Sequence, residues 1–114
     1  MKTILIGFKI SIGSMKKDGQ TISWNNRDVR FITDAGESAD NVGLSPFEAK
    51  FKIDEIAKIL GVEPFVKDSS GNLIPNNRDV NDALALCIRR EVECTYAPVS
   101  GVLKCTGFRL VDPA

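Results

Sequence analysis

Apolar residues recur at every second position near the start of the chain: Ile4, Ile6, Phe8, Ile10 and Ile12. A period of two places such side chains on one face of a β-strand. Residues 3 to 13 therefore read as a first strand with these five residues turned inward, and a charge placed at Ile10 is expected to unfold the domain. The other face carries Thr3, Leu5, Gly7, Lys9, Ser11 and Gly13. Its glycines point either to a bend or to close approach of another backbone or a ligand. Residues 14 to 19, SMKKDG, form a turn that breaks at Asp18-Gly19. Residues 21 to 33 are a second, less regular strand, with Asn25-Asn26 marking a bulge or a bend.

Residues 34 to 46 are polar, rich in small side chains, and read as a loop. Phe47, Ala49, Phe51 and Ile53 then alternate with Glu48, Lys50 and Lys52. A third strand ending at Ile53 fits this pattern, although the good helix formers that follow keep a helical reading open. A short helix is predicted from Asp54 as N-cap, with Ile56, Ile59 and Leu60 on its apolar face and Gly61 as its stop. Residues 63 to 77 read as a hairpin or excursion. Residues 79 to 88 read as a short helix capped by Asp79 or as the lead-in to a strand. Alternation returns from Arg89 to Tyr96, residues 98 to 101 make a turn, and residues 102 to 111 form the last strand.

This order predicts a mostly β domain with one or two short helices. Five strands with a helix between the third and fourth is the order of the OB-fold, a small, partly open five-stranded barrel. Residues 1 to 114 are read as one OB-like domain. Another small barrel or an α+β sheet would fit the same pattern.

Composition narrows the chemistry. Lys plus Arg and Asp plus Glu are equal at 15 each, so the net charge is zero and anion binding would have to come from local segregation of charge. Histidine is absent, and Cys87, Cys94 and Cys105 show no CxxC spacing. Zinc sites of the usual kind and histidine-based catalysis are excluded on those grounds. No cofactor is implied, and the chain does not read as an enzyme. The cysteines are expected as small core residues rather than reactive thiols. No apolar run approaches the ~20 residues that cross a bilayer. The unpaired cysteines and the lack of a leader pattern point to the cytoplasm. Zero net charge and open strand edges favour a homodimer.

Charge is segregated along the sequence. Lys9, Lys16 and Lys17 lie on the first strand and its turn, Trp24, Arg27, Arg30 and Phe31 on the second, and Lys104 and Arg109 on the last. Most acids fall elsewhere. Proteins that bind single-stranded nucleic acid combine a basic groove for phosphates with aromatic rings that stack on bases. These nine residues are the candidate contacts. Arg27 and Phe31 share one strand face, and Trp24 and Arg30 the other. A bulge at Asn25-Asn26 would bring Trp24, Arg27 and Phe31 together. Trp24 can be either a core residue or a stacking platform, and Lys16-Lys17 can equally be a solvated hairpin tip.

The opening GFKISIGSMKKDGQTISW resembles the start of the small single-stranded DNA-binding proteins of filamentous phages and related mobile elements. In that family a first strand ends in a Ser/Lys/Gly-rich turn and a second strand follows at once. The resemblance covers roughly the first third of the chain. It implies a cytoplasmic, OB-like protein that coats single-stranded DNA as a homodimer without sequence preference, with Lys16, Lys17 and the residues after the turn at the DNA groove. The chain differs from the family pattern in its zero net charge and its single tyrosine, Tyr96. The alternative from another class is a phage or plasmid structural or protein-interaction subunit that uses its sheet for protein contacts.

Overall fold

The structure, a computed structural model, describes residues 2–34 and 44–111. Strands β1 (Thr3–Lys17) and β2 (Gln20–Asp34) form one long antiparallel hairpin. Asp18 and Gly19 close it at φ 53° and 77°. Consecutive left-handed residues match the twist of the flanking strands, and Asp-Gly is a pair that reaches that conformation readily. Strand β3 (Leu44–Lys52) pairs with β2 only from Asn26 onward, and among the described residues the far edge of β1 is bonded only from Thr3 to Leu5. The distal hairpin is thus a two-stranded arm. Its six β2 residues, Gln20 to Asn25, span roughly 20 Å at about 3.4 Å per residue. The arm explains why the radius of gyration is 16.5 Å where about 13 Å is expected at this length.

Helix α1 (Ile53–Leu60) follows β3 directly. The Lys52 N–H donates to Glu55 Oε1 at 2.8 Å, so Lys52 is the N-cap, two residues before the expected Asp54, and Ile53 opens the helix rather than ending β3. Gly61 ends it at φ 73°, which lets the Val62 N–H return to the Ala57 carbonyl at 3.0 Å. Strands β4 (Phe65–Lys67) and β5 (Leu73–Pro75) form a separate two-stranded hairpin. Helix α2 (Asn77–Ala85) starts after buried Asn76, whose side-chain amide donates to the Glu63 carbonyl and to Asp79. Asp79 therefore lies in the first turn and is not the cap. Strands β6 (Glu91–Val99) and β7 (Val102–Leu110) complete a five-stranded antiparallel sheet of order β3-β2-β1-β6-β7. Part of β7 comes close to β3, but no ladder joins them among the described residues, so the sheet is not closed into a barrel.

The core lies between the sheet and the two helices. Leu5, Val29, Phe31, Ile56, Val80 and Leu84 are completely buried, and Phe51 and Phe108 nearly so. Phe31 stacks on Phe47 at 5.0 Å, and Phe31 and Phe51 each meet Phe108 edge-on. Burying one such large side chain contributes roughly 1.5–3 kcal/mol, so these aromatics account for much of the packing.

The first strand departs from its expected phase. The β1–β2 register shifts between Leu5, which pairs with Phe31, and Gly7, which pairs with Arg30. Ile6 takes up the bulge, and Leu5 rather than Ile4 or Ile6 faces the core. Past the bulge Phe8, Ile10 and Ile12 return to the core-side face, but only Phe8 packs against the core. Ile6, Ile10 and Ile12 are 43%, 46% and 56% exposed: Ile6 sits at the bulge, Ile10 lies opposite Arg27 at the root of the arm, and Ile12, opposite Asn25, is the first β1 residue of the arm. The expectation that a charge at Ile10 unfolds the domain is corrected accordingly.

Elsewhere Asp34 and residues 44–46 are strand rather than loop, while the rest of that expected loop, 35–43, lies outside the described residues. Pro98 belongs to β6, and the turn that follows is centred on Ser100 and Gly101 at φ 52° and 79°. No helix among the described residues is long and apolar enough to cross a membrane.

Candidate nucleic-acid interface

Residues directly opposite one another in an antiparallel pair share a face. On the face turned away from the helices, Lys9, Ser11, Gly13, Met15 and Lys17 oppose Asp28, Asn26, Trp24, Ile22 and Gln20. The same face continues onto β3, where Lys52, Lys50 and Glu48 oppose Asn26, Asp28 and Arg30. The outer face of β1, β2 and β3 therefore carries Lys9, Lys17, Arg30, Lys50 and Lys52 against Asp28 and Glu48. Arg30 and Glu48 approach to 3.7 Å with both side chains more than half exposed. A solvated pair of this kind is worth about 0–1 kcal/mol, so a phosphate could displace the carboxylate. Asp28 is flanked by Lys9 and Lys50, and its Oδ1 is buried without a hydrogen-bond partner among the described residues.

Trp24 belongs to this face and not to the core. Its indole lies against Gly13, where a Cβ would fall 2.5 Å from the ring carbon Cζ2. Any side chain at position 13 would displace the ring, so the glycine is there for close approach and not for a bend. The ring remains 36% exposed and, with Asn26 and Lys52, lines a cleft of about 310 Å³. A ring supported from behind and open to solvent is a suitable stacking platform.

Two of the nine candidate residues are interior. Arg27 is completely buried, and β2 runs without a bulge through Asn25 and Asn26, so Trp24 stays on the opposite face. The Arg27 Nε donates to Asn81 Oδ1 at 2.8 Å, Nη2 to Asn77 Oδ1 at 2.9 Å, and Nη1 to Asn25 Oδ1 at 2.7 Å and to the Asn26 carbonyl at 3.0 Å. Burial pulls its pKa below the ordinary arginine value. This guanidinium fastens the root of the arm to α2. Phe31 is the centre of the aromatic core. Neither residue can touch a bound strand.

The remaining candidates are dispersed. Lys16 opposes Thr21 on the core-side face of the arm. Arg109 is held by Glu93 at 2.7 Å on the far side of the sheet. Lys104 lines a cleft of about 610 Å³ at the open seam between β3 and β7, together with Lys50, Phe47 and Tyr96. Lys50 and Lys52 were not among the residues the sequence singled out. Their alternation with Phe47, Ala49 and Phe51 did place them opposite the core, but only the pairing with β2 puts them on the face of Trp24, with Lys52 diagonally next to it. The chain matches no protein family, no curated protein and no solved structure in the comparisons made.

Proposed function

We propose that the chain binds single-stranded DNA without sequence preference along the outer face of β1, β2 and β3. One observation carries this: Trp24, braced on Gly13, shares its face with Lys9, Lys17, Arg30, Lys50 and Lys52. The cations follow the phosphates, and the indole stacks on a base, an interaction worth about 1–3 kcal/mol that any base can provide. The sheet is read as an OB-type barrel open at the β3–β7 seam, because its strand order would close there. Coating the DNA of a phage or mobile element in the cytoplasm is the role that the likeness of the opening segment suggests.

The protein acts as a homodimer in this proposal. The hairpin β4–β5 leaves Phe65, Val66, Leu73 and Ile74 exposed, and Leu73 is 68% open. A small two-stranded sheet with apolar side chains and free edges favours pairing. The same hairpin also favours the second reading, a protein-interaction subunit that does not bind nucleic acid. Trp24→Ala separates the two. Under the DNA proposal, oligo-dT affinity falls roughly 5- to 150-fold, equivalent to about 1–3 kcal/mol, while the melting temperature stays near that of the parent. If affinity and melting temperature fall together, Trp24 is only structural.

A further inference from the structure

Three cysteines are present, and two of them meet. In an unbroken β6–β7 ladder, Cys94 opposite Phe108 would put Cys105 opposite Ala97, on the other face of the sheet. The register instead shifts between Thr95, paired with Gly107, and Tyr96, paired with Cys105. The extra residue, Thr106, turns Cys105 onto the face of Cys94, diagonally next to it across the ladder, and the Cys105 thiol donates to the Gly107 carbonyl at 3.3 Å. Both are free and half-buried. Cys105 lines the seam cleft, and Cys94 lines a smaller cleft with Thr3 and Val111, which gives a small solute a path to each residue. Cys87 differs: it is buried, and its thiol donates to the Ala83 carbonyl at 3.4 Å.

We propose that Cys94 and Cys105 form an oxidant-reactive site at which a peroxide generates a cross-strand disulfide. Cys87 lies in the core and Cys94 and Cys105 pack against it, as expected of small core residues, while the sharing of one face by the last two depends on the bulge. The neighbouring Cys94 thiol holds Cys105 down to about 7, against the upward push of its burial. The same contact, with burial, drives Cys94 well above the usual thiol value. Cys105 is therefore the attacking thiolate.

In the first step its sulfur takes one peroxide oxygen. The O–O bond breaks, the other oxygen leaves as hydroxide, and Cys105 becomes a sulfenic acid. With the thiolate gone, Cys94 loses the partner that raised its pKa. Its sulfur then attacks the Cys105 sulfur, the S–S bond forms, the S–O bond breaks, and the Cys94 proton departs in water. Overall two thiols and one hydrogen peroxide give one disulfide and two waters.

The test is peptide mapping of the full chain. Hydrogen peroxide is added near neutral pH, remaining thiols are alkylated with iodoacetamide, and the protein is digested with trypsin without reduction. Lys104 directly precedes Cys105, so trypsin separates the two cysteines unless a disulfide holds them. The expected product is the peptide from residues 91–104 joined to that from 105–109, from protein that runs as a single uncrosslinked chain, with Cys87 alkylated. Alkylatable thiols fall from three to one. Three free thiols after treatment, a link that includes Cys87, or separate over-oxidised cysteines would overturn the proposal. A dimedone adduct at Cys105 is expected in Cys94→Ser, and none at Cys94 in Cys105→Ser; the reverse pattern overturns the assignment of the attacking sulfur.

Discussion

Arg27 offers the sharpest contrast between a surface contact and an internal clamp. Its guanidinium makes four hydrogen bonds, to Asn25, Asn26, Asn77 and Asn81, at 2.7 to 3.0 Å. Each bond from a charged donor contributes about 1.5–3 kcal/mol net, and buried amide oxygens left without a donor add to the cost of removing it. The Asn25, Asn77 and Asn81 side chains are only partly buried, so water recovers some of that cost. Arg27→Ala is therefore expected to destabilise the fold by about 3–5 kcal/mol, a large share of the 5–15 kcal/mol typical of a domain. Arg27→Lys should fall in between, because a point ammonium cannot span three asparagines as a planar fork does. Urea unfolding followed by far-UV circular dichroism measures both. A loss under about 1 kcal/mol for Arg27→Ala, with a large drop in DNA affinity, would refute the clamp and return Arg27 to the surface.

Other outcomes follow from the same geometry. Ile10→Lys should destabilise the fold by about 1 kcal/mol in thermal melts without unfolding it, since Ile10 is half-exposed but lies directly opposite Arg27. Gly13→Val should displace the indole, shifting the emission of the only tryptophan and weakening oligonucleotide binding while the melting temperature holds. Replacing Lys50 and Lys52 with Ala should flatten the salt dependence of binding by about 0.7 for each phosphate that is no longer neutralised, equally for every base sequence. Sedimentation should show a dimer at micromolar concentration that Leu73→Lys converts to monomer; a parent protein that is monomeric throughout would contradict the pairing.

The elements that were legible in the sequence are those fixed by local chemistry. Asp18-Gly19 specified the hairpin turn and Gly61 the end of α1, while residues 63 to 77, read as a hairpin or an excursion, hold the β4–β5 hairpin. What escaped depends on residues far apart in the chain. The alternation of Ile4 to Ile12 was real, but the bulge at Ile6 moved the buried position to Leu5, and a bulge leaves no mark in a periodic pattern. Ile10 and Ile12 obeyed the period yet stay about half exposed, at the root and the base of the arm. Arg27 resembled its neighbour Arg30 until α2 supplied Asn77 and Asn81 from some 50 positions away. Of the candidate site, Lys9, Lys17, Trp24 and Arg30 fall on one face, while Lys50 and Lys52 joined them only through the β2–β3 register.

The most direct measurement is a titration with oligo-dT at low and at moderate salt, read by the fluorescence of Trp24, which reports one place because the chain has no other tryptophan. The proposed interface predicts quenching that saturates, with an affinity that falls as salt rises and varies little when the bases are changed. Unchanged emission and no binding at low salt would contradict it and leave the basic outer face as solvated sheet.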